Sequence, residues 1–443
     1  MQQIMDLVER NSYADARALL QQMNAVDIAL VLEELPLEQS LILFRILPKD
    51  SAASVFSYMS IEQQKYVVEN ITDREIRSIL SDLRFDDTVD FLEEMPANFV
   101  KKVLRHADEN TRRLLNQFLA YPENSAGSLM TIEFVDLKKE MTVKEALKRI
   151  KETGFDKETI DTCYVIDNER TLEGIVTIRR IILSDENDLI KNIMETNIAF
   201  AHTLDDQENV AAMFIKYDLF SLPVVDNENR LVGIITVDDI LDIIEEEATE
   251  DFQLMAGISP VEEAYLKTNT FTLAKHRIGW LLFLMISATF TASIVQQFED
   301  ILHSSVLLAA FIPMLMDTGG NAGSQSSTLV IRGIALGQID SDDIGQIITK
   351  EMAVGTIVGI VLAGTNLLRL YFISKVSFTI AVTVSISLFF TVLMAKVVGG
   401  ILPIAAKRFN VDPAIMASPL ITTIVDAAAL MIYFSIARSL LRI

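Results

Sequence analysis

Five apolar stretches crowd the C-terminal part of this chain, at residues 278–298, 306–331, 352–373, 378–404 and 414–437. Each is long enough to cross about 30 Å of hydrocarbon. No feature constrains the fold more, because lipid offers the backbone no water and only a helix satisfies its own N–H and C=O groups there. An all-α five-helix transmembrane domain is therefore expected over 275–443. Lys275 and Arg277 precede the first stretch, Arg332 and Lys350 bracket the loop after the second, and Lys407 and Arg408 follow the fourth. By the positive-inside rule these mark the cytoplasmic face, although Arg438 and Arg442 run against that count.

Charge divides the chain at the same place. From residue 271 onward there are 11 Lys/Arg and 9 Asp/Glu; of the chain's 38 basic and 61 acidic residues, 27 and 52 come earlier. A soluble part of net charge −25 thus precedes a membrane part of +2. Such an acidic surface repels nucleic acid and anionic lipid and attracts small cations. Met1 to Arg10 is mixed polar and acidic, so no secretory signal is expected there. Cys163 is the single cysteine, which excludes an internal disulfide and a thiolate zinc cluster.

Asp426 stands in the middle of the last apolar stretch. A carboxylate at that depth costs about 2.5–3.5 kcal/mol even on lenient insertion scales, so it is expected to face a polar interior as part of an ion path. Ser418 and Thr422 precede it at i−8 and i−4, on the same helical face. Asp412, followed by Pro413, is suited to cap that helix. The second stretch is interrupted by Pro313, Asp317, Thr318, Gly319, Gly320, Asn321 and Gly323; such breaks are tolerated where they line a cavity or lie buried in protein.

The soluble part begins with a repeat. Met23, Leu35, Leu47, Met59, Ile71, Leu83 and Met95 recur every twelve residues, each followed by Asn24, Pro36, Pro48, Ser60, Thr72, Arg84 or Pro96. Apart from Arg84 these followers tolerate turns or start helices, which predicts an all-α solenoid of short helices over 1–124. A duplicated helix, strand, turn, strand, helix pattern comes next, over 125–192 and 193–251. Asp167 to Gly174 and Asp226 to Gly233 keep the same seven-residue spacing. This α/β pair resembles a CBS tandem. Gly233-Ile-Ile-Thr236-Val-Asp238-Asp239 is similar to that family's nucleotide signature, which implies Thr236 on phosphate and Asp239 on ribose. In the first copy Arg180 occupies the acid's place, so the signature is incomplete there.

Two acidic runs stand out: Asp86, Asp87, Asp90, Glu93 and Glu94 in the solenoid, and Asp238, Asp239, Asp242, Glu245, Glu246, Glu247, Glu250 and Asp251 after the second copy. Most such runs are solvated faces. Carboxylates brought to ~4 Å repel by roughly 4 kcal/mol at an effective dielectric near 20, and divalent cations between them reverse that sign. Oxygen ligands without Cys or His suit Mg²⁺ or Ca²⁺ rather than zinc.

Solenoid, CBS pair, connecting helix (252–274) and five spans, in this order, resemble the MgtE family of magnesium channels. The likeness covers essentially the whole chain. Its most specific segments are Tyr121-Pro-Glu-Asn-Ser-Ala-Gly127, Pro313-Met-Leu-Met-Asp-Thr-Gly-Gly-Asn-Ala-Gly-Ser-Gln325, and Val411-Asp-Pro-Ala414 leading to Asp426. The resemblance implies a homodimer in the bilayer of the cell membrane, with the pore between the two membrane halves and the acidic domains in the cytoplasm. Asp426 of each subunit binds the ion, helped by Thr422 and by Ser418, where the family often has Asn. Asp412 matches a further cation position. Cytosolic Mg²⁺ would close the pore by bridging Asp87 and Asp90 to Asp239 and Asp242, with Asp206, Asp218, Glu247, Glu250 and Asp251 as further acids. The last three face the connecting helix, near residues 261–271. ATP at Thr236 and Asp239 is a second regulatory ligand this implies.

The function expected is import of Mg²⁺ down the membrane potential by a channel-like transporter. The alternative is a broader divalent carrier or an exporter for Mg²⁺, Co²⁺ or Mn²⁺ with CBS regulation. No enzymatic activity is expected: an intramembrane metalloprotease needs His-Glu-x-x-His, and His106, His202, His276 and His303 share no span.

Overall fold

The computed structural model describes residues 2–10, 12–107, 109–261 and 265–441, without the side chains of Gln2, Glu9, Asp50, Ser81, Lys102, His106, Ser304 and Ser418. The chain divides into two compact units, Met1–Ile243 and Ile244–Ile443.

The first unit opens with ten short helices, from Gln2–Glu9 to Glu109–Phe118. The twelve-residue repeat sets their boundaries: Asn24, Pro36, Pro48, Ser60, Thr72, Arg84 and Pro96 are the N-cap residues of seven consecutive helices. Thr72 forms a full capping box with Glu75, satisfying two helix-start donors reciprocally. The repeating Leu35, Leu47, Met59, Ile71 and Met95 are buried, and Phe44, Phe56, Phe91 and Phe99 form a chain of ring contacts through the stack.

The CBS pair consists of two matching three-stranded sheets. Asp136–Leu137 runs parallel to Thr162–Ile166, which pairs antiparallel with Leu172–Thr177. Ala201–His202, Ser221–Val225 and Leu231–Thr236 repeat that topology, with a register irregularity at the equivalent place. The copies are tied together by a bridge from Thr131 to Ile234 and by a buried 2.7 Å hydrogen bond between the Tyr164 and Ser221 hydroxyls. Gly127 sits where the solenoid enters this pair. A Cβ there would lie 2.6 Å from the Tyr121 ring and 2.8 Å from the Thr203 carbonyl, so only glycine permits this approach.

The helix Val237–Met255 leads out of the second copy and carries the long acidic run. The connecting helix expected near 261–271 is not found over the described part of that stretch: 256–261 and 265–269 are non-helical, and 262–264 lie outside the described residues. Gly257 turns the chain there with φ +70°, and a side chain at that position would collide with Trp280. Trp280 lays its indole over this glycine.

The membrane spans are Thr270–Gln297, Val306–Ala335, Ser341–Ile373, Phe378–Arg408 and Pro413–Leu441. The second, fourth and fifth form the packed centre, around Leu315, Leu388, Val392, Ile421 and Val425. The first buries none of its residues. Glycines on the second span allow the closest approaches. A Cβ at Gly320 would lie 2.9 Å from Thr422 Cγ2, one at Gly323 2.7 Å from Ile421 Cγ2, and one at Gly399 of the fourth span 2.2 Å from the Gly323 carbonyl. Such small-residue crossings are how helices associate where water supplies no hydrophobic force.

Candidate functional site

These crossings set the geometry around Asp426. It follows Thr422 by one turn on the fifth span, and Thr422 packs directly on Gly320. Val425 lies against Gly319. The charged group that acts on Asp426 is Asp317 on the second span. Asp426 is half-buried, and its Oδ1 is enclosed without a hydrogen-bond partner. Asp317, Asn321 and Gln325 are spaced at i, i+4 and i+8 and are all exposed on one face; Asn321 Nδ2 donates to Asp317 Oδ1 over 3.2 Å. A span thus presents a stripe of one carboxylate and two amides outward at membrane depth. Hydrocarbon cannot solvate it, so protein or a water-filled path must cover it. The side chain of Ser418 lies outside those described.

Two further charged groups lie here, one buried and one half-buried. Lys396 of the fourth span is 5% exposed and its Nζ donates to Gln325 Oε1 at 3.1 Å. Glu351 of the third span accepts from Ser326 Oγ at 2.6 Å. Arg369 donates to Asn366 Oδ1 at 2.9 Å, an internal bond rather than one to the membrane surface.

In the first unit, carboxylates from three sequence regions converge. Burial pushes Asp86 up to about 6, with Asp87 adding to it. Asp87 is raised to about 6 by burial and then by Asp239. Asp239 is itself raised to about 6 by burial, against the opposing bond from Thr236 Oγ1 at 2.7 Å. Asp90 is raised further, to about 8, first by burial of its carboxyl among the surrounding protein atoms and then by Asp86, although the residue as a whole is exposed. Glu158 of the first CBS copy is raised to about 7, again chiefly by burial. Arg84, the solenoid's odd helix-starting residue, pairs with Glu158 and reaches Glu133 at 3.6 Å, and Lys157 adds a second positive charge beside Glu133.

A second group forms in the other unit. Asp251 is raised to about 6 by burial and by Asp412, Glu247 and Glu250, with Arg332 opposing. Asp412 also accepts from Ala414 N at 2.7 Å, capping the turn Pro413–Met416 that opens the fifth span. This places Asp412 with the acids at the end of the acidic helix as well as at the entrance of that span.

The remaining candidates are not drawn together. Asp206 caps the helix Gln207–Tyr217 and Asp218 ends it in a left-handed conformation, at φ 52°. They flank an 11-residue helix, so the two stand about 18 Å apart along it. Asp242 is exposed, one turn beyond Asp239. None of these three is a principal neighbour of Asp87 or Asp90. Among the described residues no three acidic, His or Cys side chains converge tightly enough to hold an ion unaided. Sequence reasoning left Glu133, Glu158, Arg84, Asp317, Asn321, Gln325 and Lys396 out of the site. For the membrane residues a signal existed, the i, i+4, i+8 spacing, the same one that grouped Ser418, Thr422 and Asp426.

Fold and site together define a multi-pass membrane transport protein for cations, with regulatory CBS domains. Residues 312–436 match the family model described as a divalent cation transporter, 23–124 the MgtE intracellular N domain, and 126–186 and 190–246 the CBS domain. The chain is 36% identical over 442 residues to the magnesium transporter MgtE of Thermus thermophilus, covering 98% of both chains. It is 30% identical over 436 residues to that of Bacillus subtilis, covering 98% of this chain and 96% of the relative. A crystal structure of the cytosolic domain of the Mg²⁺ channel MgtE in complex with ATP matches 54% of this chain and 98% of its own, at 34% identity and a TM-score of 0.52. The chain belongs to the MgtE transporter family, and its solenoid and CBS domains lie in the cytoplasm.

Proposed function

We propose that the protein imports Mg²⁺ down the membrane potential through a path between two copies of the chain, and that cytosolic Mg²⁺ closes it. The observation that carries this reading is the exposed Asp317, Asn321 and Gln325 face beside the half-buried Asp426. Two copies meeting on that face would cover it and double its carboxylates into a ring. Mg²⁺ gives up water reluctantly, so a few carboxylates and amides can recognise it partly hydrated and still release it. Thr422, Ser418 and, at the cytoplasmic entrance, Asp412 extend the same route.

Closure follows from the two carboxylate groups. At low Mg²⁺ they repel; bound cations neutralise Asp86, Asp87, Asp90, Asp239 and Asp242, and separately Glu247, Glu250, Asp251 and Asp412. One helix, Val237–Met255, carries members of both sets. Asp206 and Asp218 would take further cations singly. ATP would bind at Thr236 and Asp239 and compete with Mg²⁺ for Asp239. The domains are taken as 1–124, 125–192, 193–251, 252–274 and 275–443.

Asn321→Cys in a Cys163→Ser background tests the path. A charged thiol reagent should block Mg²⁺ uptake, and saturating Mg²⁺ should slow the modification. Uptake indifferent to modification would remove this face from the path. Co²⁺ or Mn²⁺ passing while Mg²⁺ does not would favour the broader divalent reading.

A further inference from the structure

Lys396 has no place in the path as drawn so far, yet it is an ammonium buried within the fourth span and hydrogen-bonded to the stripe itself. Its surroundings are specific. Lys396 Cβ lies 3.4 Å from where Gly355 would carry a Cβ, and Glu351 Cγ lies 3.1 Å from the equivalent point at Gly400. The third and fourth spans therefore cross with one basic and one acidic side chain on the same seam. These two groups hold consecutive residues of the second span: Lys396 donates to Gln325 Oε1, and Glu351 accepts from Ser326 Oγ.

Gln325 lies eight residues beyond Asp317, about 12 Å along the helix, on the side of the span that ends at the cytoplasmic Arg332. An ion leaving the level of Asp317 and Asp426 meets Gln325 next. The amide oxygen is the only atom of that side chain able to ligate a cation. With an ammonium already on it, that oxygen is engaged, and the fixed positive charge opposes a divalent ion twice as strongly as a monovalent one. Without that charge, the Gln325 oxygen and the nearby Glu351 carboxylate would make a second acidic site on the way out. Conduction requires each site to be weak enough to leave.

We propose that Lys396 determines release: its ammonium keeps the inner end of the stripe from trapping the divalent ion. This rests on the reading of the Asp317–Gln325 face as the ion path.

The test is Mg²⁺ uptake into proteoliposomes holding the full chain, measured against external Mg²⁺ for wild type, Lys396→Gln, Lys396→Arg and Asp426→Asn. Loss of the charge in Lys396→Gln should lower the half-saturating Mg²⁺ about tenfold and lower the maximal rate as well, whereas Lys396→Arg should behave as wild type. A merely damaged protein would lose rate without gaining affinity. Unchanged or raised half-saturation in Lys396→Gln overturns the proposal whatever its maximal rate. If Lys396→Gln takes up no Mg²⁺, calorimetric titration of the detergent-purified chains decides. Tighter binding than wild type supports the proposal, and equal or weaker binding overturns it. Uptake that survives Asp426→Asn would instead remove the path reading on which the proposal rests.

Discussion

Acidifying the protein in the absence of divalent cations should stabilise its soluble unit, the opposite of ordinary acid denaturation. Asp86, Asp87 and Asp239 are raised from 3.8 to about 6, and Glu158 from 4.5 to about 7. A carboxylate raised in the folded state contributes stability that is complete below its unfolded value and lost as the pH climbs through the folded one. The window therefore runs from about pH 4 to pH 7. Each displacement is about two units, or ~3 kcal/mol per group. The groups are coupled, so the first protons relieve the others and the shifts do not add; a net effect of about 3–5 kcal/mol is reasonable. For a unit of this size ~1 kcal/mol moves Tm by about 2–4 °C, giving roughly 10 °C between pH 7.5 and 5. Hydrogen bonds from neighbouring backbone and side-chain donors hold Glu75, Glu145 and Asp167 below their ordinary values, so these carboxylates act in the opposite sense. Scanning calorimetry of the full chain in detergent would follow the soluble unit. Saturating Mg²⁺, which binds the ionised form, should flatten the dependence by stabilising the neutral end. Asp239→Asn should raise Tm at pH 7.5 without Mg²⁺ and weaken the response to it. A Tm that stays level or falls on acidification without Mg²⁺ refutes the idea that these carboxylates repel one another in the folded protein.

Three other perturbations have definite outcomes. Gly399→Ala would put a methyl group 2.2 Å from the Gly323 carbonyl, forcing the second and fourth spans apart at a cost of about 1–3 kcal/mol; maximal Mg²⁺ uptake should fall at least tenfold while the CBS transition in calorimetry is unmoved. Arg84→Gln leaves Glu133 and Glu158 without their guanidinium, so the soluble unit should melt earlier without Mg²⁺ and recover when Mg²⁺ is added. Asp412→Ala removes the acceptor for Ala414 N, costing ~1 kcal/mol at that turn, and relieves Asp251 of the like charge that acts on it most strongly; uptake should then need more cytosolic Mg²⁺ for half-inhibition, read as dye flux at graded internal Mg²⁺.

Where order along the chain carries the physics, the sequence was legible. A turn-tolerant residue every twelfth position became an N-cap in helix after helix, because proline and short polar side chains suit the start of a helix and no other part of it. The duplicated strand pattern and the five apolar stretches were equally local signals. Arg84 broke the repeat's rule and looked like noise, yet it is the cation that pairs with Glu158. Neither Glu158 nor Glu133 sits in an acidic run; packing of the solenoid against the first CBS copy brings them to Asp86 and Asp87, which no local pattern announces. Asp317 was visible as an interruption of the second span, but its pairing with Asp426 depends on which glycines face which helix. The connecting segment was expected to be helical from its place in the family order; Gly257, with its left-handed backbone, ends the acidic helix first.

Asp426 is the residue on which the proposed ion path turns, and one comparison reaches it directly. Purified wild-type protein and Asp426→Asn, which keeps the size of the side chain and removes its charge, should be reconstituted into liposomes containing a Mg²⁺-sensitive dye, with an inside-negative potential imposed. Wild type should fill the liposomes with Mg²⁺ and Asp426→Asn should not, although both fold and show the same Mg²⁺-dependent stabilisation of the soluble unit. Equal uptake by the two proteins would contradict the account, because a path that conducts without that carboxylate runs elsewhere.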